Sequence, residues 1–102
     1  MIVIEVNVGP KIDYEVTGTK ITFDDELMLN LKKYEQDDPV EIDICADKNG
    51  NLTTAVSWRT VAQIEIPARE YTEEPGEEEG TTVPVPVPFD MDKCTLKLYS
   101  LN

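Results

Sequence analysis

Apolar and polar side chains alternate with period two along most of this chain, and that alternation predicts strands rather than helices. Residues 2–8 place Ile2, Ile4, Val6 and Val8 on one side, and Gly9-Pro10 ends the run. Two short runs, Ile12–Val16 and Ile21–Phe23, follow around Thr17-Gly18-Thr19-Lys20. Opposed residues of a hairpin must share a face, so parity sets the register. Pairing Val16 with Ile21 and Tyr14 with Phe23 leaves Gly18-Thr19 as a two-residue loop. Glycine in its first position is the type II′ signature.

Residues 24–36 fit two patterns. Asp24 could cap a helix with the face Leu27, Leu31 and Tyr34, or Leu27, Leu29 and Leu31 could alternate along a strand. The strand fits slightly better, so at most one short helix is expected there. Asp37-Asp38-Pro39 breaks the pattern. A second hairpin follows, with Val40, Ile42, Ile44 and Ala46 facing Leu52, Thr54, Val56 and Trp58. A two-residue Asn49-Gly50 loop would mix the two faces. A three-residue loop, Lys48-Asn49-Gly50, pairs Ile44 with Thr54, Ile42 with Val56 and Val40 with Trp58, with Gly50 left-handed and Asp47 opening the turn. Even positions stay in phase from Leu52 to Ala68. Straight, that run would extend about 56 Å at about 3.3 Å per residue. A globule of this length has a radius of gyration of about 13 Å, so the run must bend, with Ser57–Thr60 the expected place, or leave the body as an arm.

Residues 70–82 lack aliphatic side chains and read as a flexible acidic loop. The Val-Pro alternation of 83–88 predicts an extended, polyproline-like path. Residues 93–99 close the chain as a strand with Cys94, Leu96 and Leu98 on one face. The fold expected is a single all-β, mainly antiparallel domain, residues 1–102, built as a small sandwich or barrel of six to eight strands.

Composition narrows the chemistry. The chain has no histidine, which removes the usual general base near neutral pH, His-activated nucleophiles and the commonest transition-metal ligand. Neither an enzyme nor a cofactor is expected. The formal charge is −12, but six glutamates and no cation lie within 70–79, so the rest of the chain carries only −6. Two cysteines, Cys45 and Cys94, are too few for a disulfide framework and are expected reduced. The opening residues lack a basic lead and reach Glu5 after a short apolar stretch, unlike a signal peptide, and no apolar run is long enough to span a bilayer. The expected compartment is the cytoplasm.

Three features could bind something. Asp47-Lys48-Asn49-Gly50-Asn51 resembles the start of a calcium-binding EF-hand loop, but Leu52 stands where the turn glycine belongs and Trp58 where the bidentate glutamate belongs. A hairpin turn is the better reading, and no metal site is assigned. Glu41, Asp43 and Asp47 share the odd face of one strand, with Cys45 between them. With Glu73, Glu74, Glu77, Glu78 and Glu79 they are the candidate partner-binding residues. Trp58 and Arg59 are types enriched at interfaces, but Trp58 falls in phase with the core face and is assigned there. The function expected is a non-catalytic structural, assembly or protein-interaction module, such as a small subunit of a phage-type particle. The alternative is an acidic inhibitor or nucleic-acid mimic that occupies a basic cleft. Its partner would be a protein, a second copy of the chain included, and neither nucleic acid nor a membrane.

Overall fold

The computed structural model describes all residues, Met1–Asn102. Strands hold 46% of the chain, and helical structure is limited to two single 3-10 turns, Leu31–Lys33 and Met91–Lys93. Ten strands form, more than expected: β1 (Ile2–Glu5), β2 (Tyr14–Thr17), β3 (Lys20–Phe23), β4 (Leu27–Asn30), β5 (Val40–Ala46), β6 (Leu52–Thr53), β7 (Arg59–Ile66), β8 (Tyr71–Pro75), β9 (Thr82–Pro86) and β10 (Thr95–Leu98). They make a five-stranded sheet in the order β1-β10-β7-β5-β6, a three-stranded sheet β2-β3-β4 and a two-stranded ribbon β8-β9. All pairings are antiparallel except β1 with β10. The sheets do not close into a barrel.

The hairpin of β2 and β3 has the parity register: Tyr14 opposes Phe23, Val16 opposes Ile21, and Gly18 takes a positive φ of 61°. The ambiguous segment begins as strand β4, then tightens into a 3-10 turn at Leu31. Asp24 caps no helix. Asp24 and Asp25 take φ of 55° and 53° in the β3–β4 turn, a conformation that Asp tolerates better than most residues. Leu29 and Leu31 are buried and Leu27 packs against the core, as the strand pattern required.

The three-residue loop after β5 also forms. Asp47 and Asn51 close it, Gly50 has φ 85°, and its N–H donates to the Asp47 carbonyl at 3.0 Å. The long pairing beyond it does not form. The ladder with β6 stops at Cys45–Thr53, the chain turns away over Thr54–Trp58, and β5 pairs along its other edge with β7. Ile42 therefore opposes Ile64 and Val40 opposes Ile66, not Val56 and Trp58. A register shift at Ile44/Cys45 leaves Val61 as an extra residue on β7. That bulge lets consecutive residues Val61 and Ala62 both join the one core, where a regular pleat would turn them to opposite faces.

A single core of 15 buried residues draws on both larger sheets, from Ile21, Phe23 and Leu29 to Ile42, Ile44, Ile64, Leu96 and Leu98. Cys94, Leu96 and Leu98 share the buried face as the alternation predicts.

The acidic segment is the largest departure from the sequence reading. It is an antiparallel ribbon, not a flexible loop, and the Val-Pro run is one of its strands. The N–H of Val87 donates inward to the Glu70 carbonyl at 2.8 Å. Alternation then turns every valine of β9 toward β8 and every proline toward solvent, where a missing N–H costs no ladder bond. Pro84 and Pro86 fall on the outer edge of β9, which leaves the Thr82 N–H as its one donor to another strand. The ribbon contributes to extents of 61 × 23 × 21 Å and a radius of gyration of 17.1 Å, above the roughly 13 Å of a globule of this length. Its base is tied down by Arg69, whose guanidinium reaches Glu35 and Asp37, and by Tyr71, whose hydroxyl donates to Asp37 at 2.6 Å.

Candidate partner-binding surfaces

The candidate acidic residues do not form one surface. Glu41 and Asp43 lie exposed on the outer face of the five-stranded sheet, opposite Glu65 and Gln63. The Gln63 amide donates to Asp43 at 2.8 Å and to Glu41 at 3.3 Å, while its carbonyl oxygen accepts from the Tyr99 hydroxyl. The row is thus internally bridged, and Lys97 adds an ion pair with Glu65 at 2.8 Å beside it. Cys45, expected on this face, is buried, with its sulfur 3.7 Å from the Thr60 hydroxyl.

Asp47 leaves the row because it belongs to the turn. Its carboxylate accepts from the N–H groups of Asn51 and Asn49 at 2.9 and 2.8 Å and from the Asn51 amide at 3.3 Å. These bonds, that of the Asn51 N–H foremost, hold its carboxyl below the usual range. The carboxylate that would begin a calcium loop is satisfied by the hairpin itself. No group of three or more Asp, Glu, Cys or His side chains is arranged to hold a metal ion.

Glu73 and Glu74 are consecutive in β8 and therefore point to opposite faces of the ribbon. Glu77, Glu78 and Glu79 lie in the connection at its tip, where the Glu78 carbonyl accepts from the N–H and hydroxyl of Thr81.

Trp58 is not a core residue. It is 62% exposed and Val56 is 96% exposed, because both lie where the chain has left the ladder. The Arg59 guanidinium sits 5.4 Å from the indole centroid and donates to the Leu101 carbonyl. Trp58 borders a groove of about 290 Å³ with an apolar floor of Ile12, Ala46, Leu52 and Val61.

The surface that sequence reasoning missed is β1. Its alternation predicted a strand, but nothing in the pattern marked it as an edge. All four residues of β1 are exposed, and β10 is its only neighbour. Ile2 and Val6 donate to the Cys94 and Leu98 carbonyls at 2.8 and 2.9 Å. In a parallel ladder the alternate residues face the other way, so the N–H and C=O of Val3 and Glu5 point outward without partners. Ile2 and Ile4 stand beside Thr95 and Lys97 on the outer face, so the apolar face expected of this run is turned away from the core.

No protein-family model, curated protein or solved structure matches this chain.

Proposed function

We propose that this chain is a non-catalytic protein-interaction and assembly module, an open two-sheet sandwich that joins a partner by strand addition along β1. One observation carries this reading: β1 is a solvent-exposed edge with free backbone groups and three apolar side chains, with Glu5 its single charge and neither proline nor another segment covering it. Unguarded edges invite pairing with other chains, and proteins normally blunt them with proline, charge or cover. This chain places proline at every second position of β9 but none along β1. Main-chain bonds would supply affinity and the alternate side chains specificity. A subunit of a multi-chain particle, of the phage type or another, would use such an edge to meet its neighbour.

The ribbon favours a second reading, the acidic inhibitor, because a strand holds Glu73 and Glu74 in place where a loose loop would not. Their opposite orientation weighs against a single charged face.

Selection from a random dodecapeptide library on the immobilised protein tests the proposal. The peptides expected alternate apolar and polar residues and lose binding to a Val3→Pro protein. Selected peptides that bind that variant equally well would refute strand addition, and salt-sensitive basic peptides that require residues 73–79 would favour the inhibitor.

A further inference from the structure

Side chains on the inner faces of two packed sheets should be covered, and along one side of this protein they are not. Val3 shares the face of buried Leu96, yet it is 42% exposed. Tyr14 and Val16 oppose buried Phe23 and Ile21, yet they are 39% and 38% exposed. The cause is topological, since β1 and β2 are the edge strands of their sheets. Val3 and Tyr14 line a groove of about 460 Å³ together with buried Ile12 and Leu98, and Glu5, Lys11 and Asp13 complete its lining.

This groove runs beside the free backbone edge of β1. A strand added there would continue the pleat, so its residues opposite Val3 and Glu5 would enter the groove, and those opposite Ile2 and Ile4 would join the outer face. Resting on the strand-addition reading above, we propose that the β1 edge receives an extended segment of a basic partner, with an apolar side chain opposite Val3 and a lysine or arginine opposite Glu5.

Charge identifies the occupant. The carboxylates of Glu5 and Asp13 make no ion pair and no side-chain hydrogen bond. Lys11 is the only cation in the lining; its ammonium donates to the Gly9 carbonyl at 2.7 Å and pairs with neither carboxylate. A cation entering the groove therefore meets two carboxylates engaged in no ion pair, against a single lysine, so the lining is net negative. A second copy of β1 would instead bring another Glu5 and set a chain of charge −12 against its own likeness. Self-pairing is the disfavoured outcome, and an arriving basic segment would be steered toward the edge.

The test uses two labelled, end-blocked peptides, Thr-Ile-Val-Ile-Lys-Ile-Thr and the same sequence with Glu in place of Lys, titrated with the full chain by fluorescence anisotropy. The Lys peptide should bind about tenfold tighter at low salt, a ratio that shrinks as salt approaches 0.5 M. The preference should reverse with Glu5→Lys. Both peptides should lose binding to Val3→Pro, whose missing N–H lies on the free side of β1 and leaves the β10 ladder intact. Equal affinity for the two peptides, lost in both with Val3→Pro, would overturn the basic partner while leaving strand addition standing. Absence of binding by either peptide, or binding indifferent to Val3→Pro, would sink strand addition and this inference with it. A micromolar dimer in sedimentation equilibrium that Val3→Pro dissociates would make a second copy the occupant and refute the proposal.

Discussion

The close approach between Gly9 and the C-terminal segment provides a sharp test of the fold. Gly9 has φ 135°, and a Cβ built on it would lie 2.2 Å from Ser100 Oγ and 3.0 Å from Ser100 Cβ. The contact sits where the link after β1 meets residues 99–102: Asn7 Oδ1 accepts from the Ser100 N–H at 2.6 Å and the Pro10 carbonyl accepts from the Leu101 N–H at 2.8 Å. Gly9→Ala therefore carries two costs. A side chain at this φ costs about 1–3 kcal/mol in backbone strain. Rotation of the Ser100 hydroxyl relieves the shorter contact, but the Cβ contact needs a backbone shift, worth about 1–3 kcal/mol more. The expected loss is about 3 kcal/mol, or on the order of 15 °C in Tm for a domain of this size. Ser100→Gly removes both colliding atoms, so Gly9→Ala should cost at least about 1 kcal/mol less in that background. Gly50→Ala is the control: its φ is 85° and nothing lies within 4 Å of the added Cβ, so strain alone should cost about 1 kcal/mol. Urea denaturation of the five proteins measures all of this, provided the m-values agree. A loss below about 0.5 kcal/mol for Gly9→Ala, or strict additivity with Ser100→Gly, would refute the packing of the C-terminal segment on the β1–β2 link.

Burial raises the Cys94 thiol from 9.0 to about 11. The folded protein then keeps a proton that the unfolded chain releases, so the stabilisation is complete below pH 9 and is lost as pH rises toward 11. The thiol should make stability fall by up to about 1.4 kcal/mol per pH unit in that window, and Cys94→Ala should flatten the slope of urea midpoint against pH. An unchanged slope would refute the assignment. Replacing Glu73–Pro84 by Asn-Gly shortens the ribbon to the Thr72–Val85 pair. It should leave unfolding free energy within about 0.5 kcal/mol, because these exposed residues contribute nothing to the core. A loss above about 1 kcal/mol in calorimetry or urea titration would show that the ribbon supports the body.

Local parity made both tight hairpins legible. Where two strands are joined by a short turn, face matching and turn chemistry constrain the same residues, so Val16 finds Ile21 and Gly50 takes its left-handed place. The β5 ladder was legible only as far as its turn. Val56 and Trp58 keep the phase of a core strand, but the chain leaves the β6 edge after Thr53 and returns along the other edge of β5, where Ile64 and Ile66 face Ile42 and Val40. Which edge a later segment takes leaves no trace in local periodicity. The ribbon was missed for a different reason. Composition argued for disorder at 70–82, and the Val-Pro run was judged for the donors it lacks. Read together, the two segments are a hairpin whose prolines all fall on the side needing no donor. Of the candidate site, the carboxylates were visible as residues but not as neighbours, since Asp47 belongs to a turn and the glutamates to two faces and a tip. The exposed edge of β1 depends on strand order, which alternation does not encode.

The Val-Pro alternation has a further consequence for how the ribbon can form. A one-residue slip of β9 against β8 would rotate the strand by half a pleat and turn the prolines inward. No N–H from Pro84 or Pro86 could then reach β8, and the carbonyls waiting there would go unanswered. Ordinary strands with one exposed face slide between such registers at small cost, but here a neighbouring register is poor in bonds. The repeat acts as a ratchet with a two-residue tooth, so the ribbon can hold one alignment without a hydrophobic core to set it.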